Sequence, residues 1–363
     1  MKPIYDTYIS SPELRLLLIS SYRNTDEKDS NTIFNIINES VNWSRFFKYL
    51  QQHRLIPYVY DNLSKYKHLL PNEILLNLKK LNEQNTLHML LLISETIRLL
   101  KIFDANNLWS MPLKGPVLAF QLYDDFSKRS SRDVDILIQP SDILKAVDIL
   151  SNEGYKIIPE GTTISKNKFE ILKKIKHNIS LYNSIKNVYI ELHWRLSFHN
   201  YFTEGDYNFS QLPIKLLKIY NSEIKIFRDD LQLLYLAVHG SKHKWSALYW
   251  LKDFNDFLNK YDVINSSIKL VVKTGTRRSL LQAMKLSQIF YGYKLPFEFK
   301  ISEKLLTPVF IEINSPSPSG IINDLRRVFY FMKLRPNLFY KIGCIGGIFY
   351  RFVMRLYLKM NHN

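Results

Sequence analysis

A chain of 363 residues carrying a net charge of +17 and 46% hydrophobic residues is too apolar to be a disordered polyelectrolyte and long enough for two or three packed units. Its one cysteine, Cys344, excludes an intrachain disulfide and any cysteine-based zinc or iron–sulfur centre, and it suits a reducing, cytoplasmic setting. The positive excess attracts nucleic acid, acidic membrane surface or phosphorylated small molecules without choosing among them. No basic segment followed by an apolar run opens the chain, so no secretory signal is expected, and no uncharged apolar stretch reaches the length of a membrane span.

Residues 1–103 read as a helical region. Leu14, Leu17, Leu18 and Ile19 begin an apolar patch, residues 22–31 form a charged polar loop, and residues 33–52 and 57–66 follow with helical spacing. Residues 78–103 make a long amphipathic helix, with Leu78, Leu81, Met89, Leu92, Ile97 and Leu100 among its apolar positions.

The pattern changes over residues 104–200, which read as an α/β unit. A short apolar strand at 109–113 breaks at Lys114-Gly115-Pro116, and a helix follows to Tyr123. Residues 133–138 alternate and are β-branched, so they form a strand. A helix over 141–151, capped by Ser141, ends near Gly154, and further strands lie at 155–158, 178–182 and 188–196. Lys173-Lys174-Ile175-Lys176 is a surface loop or helix end.

Residues 201–313 return to helix, most clearly at 231–243 and 247–258. A Ser/Pro linker at 314–320 precedes a basic, aromatic tail, residues 321–363. That tail carries Phe329, Tyr330, Phe339 and Phe352 beside Arg326, Lys341 and Arg351. Such a helix either packs its aromatics into the domain or lies on nucleic acid or an anionic membrane, and packing is the commoner fate.

Chemistry concentrates in Arg129-Ser-Ser-Arg132-Asp133-Val134-Asp135. In a strand, residues i and i+2 share a face, so Asp133 and Asp135 point the same way, with backbones about 7 Å apart. Two carboxylates on one face repel, and a divalent cation relieves that cost; Mg²⁺ takes carboxylate oxygens together with substrate phosphate. An exposed Asp pair at a turn has the same pattern. Two further features favour the cation. Gly115, with Pro116 in the first helical turn, presents backbone N–H groups suited to phosphate. The alternating segment 188–195 puts Val188, Ile190, Leu192 and Trp194 on one face and Tyr189, Glu191, His193 and Arg195 on the other, so Glu191 can supply a third carboxylate. A partly exposed edge strand fits that last pattern equally well.

This ordered set resembles the DNA polymerase β-like nucleotidyltransferase superfamily and, within it, a bacterial group of uncharacterised nucleotidyltransferases. The matching residues are Leu113-Lys114-Gly115, Leu122-Tyr123, Arg129 with Asp133 and Asp135, Glu191-Leu192-His193-Trp194, and His239, His243 and Trp245 with Asp253 downstream. The resemblance covers roughly residues 50–255. The wider superfamily carries Gly-Gly or Gly-Ser at the turn where this chain has Lys114-Gly115.

The resemblance implies an α+β fold with a small mixed-sheet core between helical regions, and transfer of a nucleoside monophosphate from a nucleoside triphosphate to an acceptor with release of pyrophosphate. It implies one or two Mg²⁺ ions on Asp133, Asp135 and Glu191, and phosphate contacts from Lys114, Gly115 and Arg129. His193 is expected to orient Glu191 or to touch substrate. His239 and His243 share a helix face, but the zincin Glu is missing and Lys242 opposes a bound cation; phosphate contact by Lys242 and His243 is the expectation, with His239 packing. Asp253 reads as the partner of a nearby Lys or Arg. The acceptor stays open among small molecule, peptide, protein and tRNA. The competing readings are a non-catalytic nucleotide- or nucleic-acid-binding module and a basic RNA- or membrane-binding scaffold.

Overall fold

A computed structural model describes residues 7–9, 11–23, 27–39, 41–158, 166–196 and 209–315, together with 326, 329, 330 and 332–334. The helices α1 (Pro12–Ile19), α2 (Glu27–Asn38), α3 (Trp43–His53), α4 (Ile56–Leu63) and α5 (Asn72–Ala105) come first. Strand β1 (Ser110–Pro112), helix α6 (Gly115–Tyr123), β2 (Asp133–Ile138), α7 (Ile143–Asn152), β3 (Lys156–Ile157), α8 (Lys166–Ile175), β4 (Asn178–Asn183) and β5 (Val188–His193) form the α/β unit. A hairpin of β6 (Ile214–Ile219) and β7 (Ser222–Phe227) leads into α9 (Asp229–Lys242), α10 (Leu248–Lys260), α11 (Ile264–Thr274), α12 (Arg277–Tyr291) and α13 (Glu303–Asn314). The protein is α+β, a mixed five-stranded sheet flanked by helices.

The sheet order is β1-β2-β5-β4-β3, with β2 and β5 parallel and the other neighbours antiparallel. The β2–β5 pair is central, because its register sets Asp135 beside Glu191 and Asp133 beside Tyr189. Alternation then sorts the two faces. Val134, Ile136 and Ile138 of β2 and Ile190 and Leu192 of β5 turn inward, against Leu92, Leu99 and Phe103 of α5 and Ile143, Ala146 and Leu150 of α7. The opposite face keeps the polar residues.

The first and last helices share a single apolar core. Leu14, Leu17, Phe46 and Leu50 are buried in one cluster with Leu234, Leu251, Phe254, Met284 and Phe290. Tyr330 and Leu334 join that cluster with Met332 packed against it, whereas Arg326, Phe329 and Lys333 are exposed; the other residues of the expected tail, and residues 316–320 of the expected linker, lie outside the described residues.

Several sequence expectations need correction. The segment 33–52 is two helices, because the Asn42 side chain caps a new start by accepting from Arg45 N–H at 3.0 Å. Helix α2 begins at Glu27, inside the expected loop 22–31. Asp142, not Ser141, holds the N-cap position of α7. The expected all-helical stretch after residue 200 contains the β6–β7 hairpin.

His53 ties α3 to the start of α10, its Nδ1 accepting the backbone N–H of Leu248 at 3.3 Å in a fully buried setting. Burial pushes its imidazole down to about 3, against an opposing hydrogen bond with Ile313. The folded state therefore refuses a proton that the unfolded chain accepts near pH 6.5. Stability is expected to fall by about 1.4 kcal/mol for each pH unit below roughly 6, until the folded imidazole also titrates. Urea unfolding of the wild type and His53→Gln between pH 7 and 4 checks this. Gln keeps an acceptor for Leu248 and should flatten the acid decline; parallel curves would show that His53 does not set it.

Candidate active site

The site starts from the turn between β1 and α6. Leu113 N–H bonds Asp135 O at 3.0 Å, which carries the chain past the middle of β2 before it turns. Gly115 sits at φ +65°, a conformation that glycine adopts without cost, and a Cβ added there would lie 3.6 Å from Asp133 O and 3.8 Å from the Ser131 hydroxyl, so the backbone conformation and not space calls for glycine. The turn delivers Lys114 onto the polar sheet face, its Nζ 3.2 Å from Asp135 Oδ2. No side chain caps the start of α6.

On that face Asp135 and Glu191 stand side by side from adjacent strands, and His193 completes the group from the next outward position of β5. His193 Nε2–H reaches Asp135 Oδ1 at 3.0 Å and Glu191 Oε2 at 3.2 Å, so one imidazole bridges two carboxylates. Asn178 of β4 donates to the same Glu191 oxygen at 2.6 Å. One donor atom from each of Asp135, Glu191 and His193 lies within 4.8 Å of the others. Asp133 projects from the same face into a cleft of about 410 Å³ that it lines with Glu191, Tyr189, Arg132, Ser180 and His88.

The charges of this group depend on one another. Burial would raise Asp135, but Lys114 and His193 overcome it and hold the carboxyl well below its usual range. Glu191 behaves alike: burial opposes ionisation, and His193 more than offsets it. Burial pulls the His193 imidazole down, and the two carboxylates raise it above its ordinary value. Asp133 is pushed up to about 6, first by burial and then by Asp135, with Lys114 and Arg54 only partly compensating. The face is therefore short of positive charge at Asp133. Three carboxylates with oxygen donors and a deficit of positive charge fit a divalent cation such as Mg²⁺.

A cationic rim stands over the His193 end of the face. Burial and then Lys114 lower the Lys242 ammonium, at the end of α9, to about 8. His177 is driven far down by burial, with Lys242 and His193 adding to the effect. The rings of His239, His243 and Trp250 pack together at 5.0–5.1 Å. The turn after α9 fixes this rim: Trp245 is fully buried over Gly240, where an added Cβ would meet its ring at 2.1 Å.

Arg129 lies beneath the site and not on its surface. It is buried, its Nε donates to Asp253 Oδ2 at 2.9 Å, and its guanidinium covers the Tyr249 ring at 5.1 Å. A longer contact of 3.4 Å reaches Gly115 O, so the pair ties α10 to the turn that carries Lys114. Of the residues singled out in the sequence, the structure gathers Lys114, Asp133, Asp135, Glu191 and His193 on one face, brings Lys242 and His243 to its rim, and sets Arg129 behind it. Asn178, Arg54, Arg132 and His88 also meet this face. Asn178 was legible as an outward position of a strand; His88 carries no local signal, being one turn residue of a long helix.

A family model described as "Uncharacterised nucleotidyltransferase" matches residues 39–292, more than two thirds of the chain. No curated protein matches it.

The Lys114–Asp135 contact generates a stability prediction. Lys114→Met leaves Asp135 buried with His193 as its remaining partner, and the loss should be about 3–5 kcal/mol, as for other buried pairs broken on one side. Adding Asp135→Asn should restore most of it, because the uncompensated charge is gone. Chemical denaturation of the two single variants and the double variant gives the coupling; additive effects would show that the contact carries no such dependence.

Proposed function

The chain belongs to the uncharacterised nucleotidyltransferase family and is an enzyme of nucleotidyl transfer, and on that premise we propose that it moves a nucleoside monophosphate from a nucleoside triphosphate to an acceptor, with pyrophosphate leaving. The observation that carries this reading is the in-register placement of Asp135 and Glu191 on parallel strands, with Asp133 on the same face and Lys114 and Lys242 above it. Asp133, Asp135 and Glu191 would hold Mg²⁺, which supplies charge neutralisation on the phosphates.

The protein's own groups do the rest. The Lys114-Gly115 turn and the uncapped start of α6 receive phosphate oxygens, with Lys114 exchanging its contact to Asp135 for one to the nucleotide. Lys242 and His243 cover the phosphates from the other side. Arg129 acts as a positioning residue through Asp253 and Gly115. Glu191 is ionised and borders the open cleft, where it accepts the proton of the incoming acceptor group. His193 and Asn178 hold it in place. Catalysis on this reading is positioning and charge stabilisation, with no covalent enzyme intermediate.

The presence of all three carboxylates favours the enzyme over a non-catalytic binding module, since loss of one would be enough to silence it. No helix among the described residues is long and apolar enough to cross a membrane. The single cysteine suits a reducing compartment such as the cytoplasm.

Asp133→Asn and Asp135→Asn should each abolish transfer of label from an α-labelled triphosphate into extract acceptors, with the fold intact. Glu191→Gln should lower turnover far more than triphosphate affinity, because its work arises as the proton moves. Wild-type transfer by both Asp variants would sink the assignment.

Lys242 gives a second test. Calorimetric titration with a non-hydrolysable triphosphate and Mg²⁺ should show Lys242→Ala losing on the order of 1–3 kcal/mol of binding. Wild-type affinity should weaken as pH rises through about 8, where the ammonium of the free protein loses its proton. Lys242→Arg, which stays charged, should remove that pH dependence. Equal affinity in wild type and Lys242→Ala would place α9 out of reach of the nucleotide.

A further inference from the structure

Arg54 is a cation of the carboxylate face that none of the sequence motifs marks. It follows α3 at φ +53°, the left-handed conformation in which a helix end favours glycine or asparagine. Two adjacent contacts to the start of α10 hold an arginine there. His53 accepts the N–H of Leu248, and Arg54 Nη1 donates to the hydroxyl of Tyr249 at 3.3 Å, with its guanidinium 5.2 Å from the centre of that ring. Arg129 lies on the same ring at 5.1 Å and reaches Gly115 O. Tyr249 is thus a platform shared by two guanidinium groups behind the turn that carries Lys114.

Arg129 has a carboxylate of its own, Asp253, at 2.9 Å. Arg54 has none at ion-pair distance among the described residues. Burial lowers its guanidinium, Arg132 and Arg129 add to that effect, and Tyr249 and Asp133 oppose it. A partly buried cation between two like charges, in a backbone conformation that disfavours its side chain, is costly to the free protein. An anion seated beside Asp133 relieves that cost. The neighbours of Arg54 say which anion. They are Tyr249 of α10, Arg129 and Arg132 on the approach to β2, and Asp133 at its start. None belongs to β4 or β5, where Glu191 borders the acceptor cleft. In an in-line displacement the entering and leaving oxygens lie on opposite sides of the phosphorus. A cation on the turn side therefore faces the leaving group when Glu191 faces the entering one.

We propose that Arg54 is a catalytic residue of nucleotidyl transfer, gripping non-bridging oxygens of the two phosphates that leave as pyrophosphate, with Tyr249 as its positioning residue. The inference rests on the function proposed above. The acceptor oxygen bonds to the α-phosphorus and its proton passes to Glu191. The bond from that phosphorus to the bridging oxygen breaks, and its electron pair stays on pyrophosphate. Arg54 meets the charge gathered there with charge-assisted hydrogen bonds.

Calorimetric titration of the full chain with inorganic pyrophosphate in Mg²⁺ tests this whatever the base or acceptor. Arg54→Gly should weaken binding at least about tenfold, the scale of losing a charge-assisted contact. Its Tm should hold or rise, because glycine accepts φ +53° without strain. Tyr249→Phe, which keeps the ring and removes the hydroxyl, should weaken binding in the same direction by less. Should Arg54→Gly not fold, Arg54→Gln, which keeps a donor for Tyr249 and lacks the charge, carries the test with the same expectation for affinity. Asp135→Asn is the reference for the site. Pyrophosphate bound by the wild type and lost in Asp135→Asn, but held equally by the Arg54 variants, overturns this inference alone. Pyrophosphate not bound by the wild type, or bound equally by Asp135→Asn, overturns the proposed function with it. A fall in Tm with affinity unchanged also overturns the inference, assigning Arg54 to the fold.

Discussion

Carboxylates held on one face of a sheet repel, and this protein holds three. Asp133, Asp135 and Glu191 are brought there by the parallel pairing of β2 with β5, whose opposite faces are locked into the core by Val134, Ile136, Ile190 and Leu192. A one-residue slip of either strand would send its acids into that core and its aliphatic residues outward. The hydrophobic pattern therefore fixes the site, and the repulsion must be met by cations brought from elsewhere. Lys114 and His193 meet part of it, at Asp135 and Glu191. Asp133 is left with a raised affinity for protons.

The rest of the molecule places those cations. The β1–α6 turn supplies Lys114, and the buried Arg129–Asp253 pair fixes that turn to α10. The α9–α10 turn, with Lys244 and Trp245 at positive φ and Trp245 packed on Gly240, sets the end of α9 where Lys242 and His243 lie. Lys244 is itself buried, 3.2 Å from Glu312 of α13. The terminal helices thus act on the site through packing: one core runs from α1 to α13.

Much of this was legible because it rests on short-range alternation. Strand β2 occupies residues 133–138 as its β-branched pattern predicts, and the Gly-Pro start of α6 marks where that helix begins. The β6–β7 hairpin was harder to read. Ile214, Leu217 and Leu216, Ile219 repeat at a helical spacing of three, although Ser222–Phe227 alternates and Asn221 marks a turn. The break between α2 and α3 depends on a single Asn42 cap inside a helix-like run. Arg129 stands in the motif as if it faced the nucleotide, but its burial and its bond to Asp253, 124 positions later, follow from tertiary packing that no local pattern encodes. Likewise His88 reaches the cleft only because α5 crosses beside the sheet.

The central claim is that the Asp133–Asp135–Glu191 face receives a divalent cation together with a triphosphate. Anomalous scattering from crystals grown with Mn²⁺ and a non-hydrolysable triphosphate tests it without any knowledge of the acceptor. The account predicts manganese bound directly to Asp135 and at least one of Asp133 and Glu191, with Lys114 turned from Asp135 to a phosphate oxygen. Triphosphate bound away from this face, or manganese absent from it while the nucleotide is present, would contradict the account.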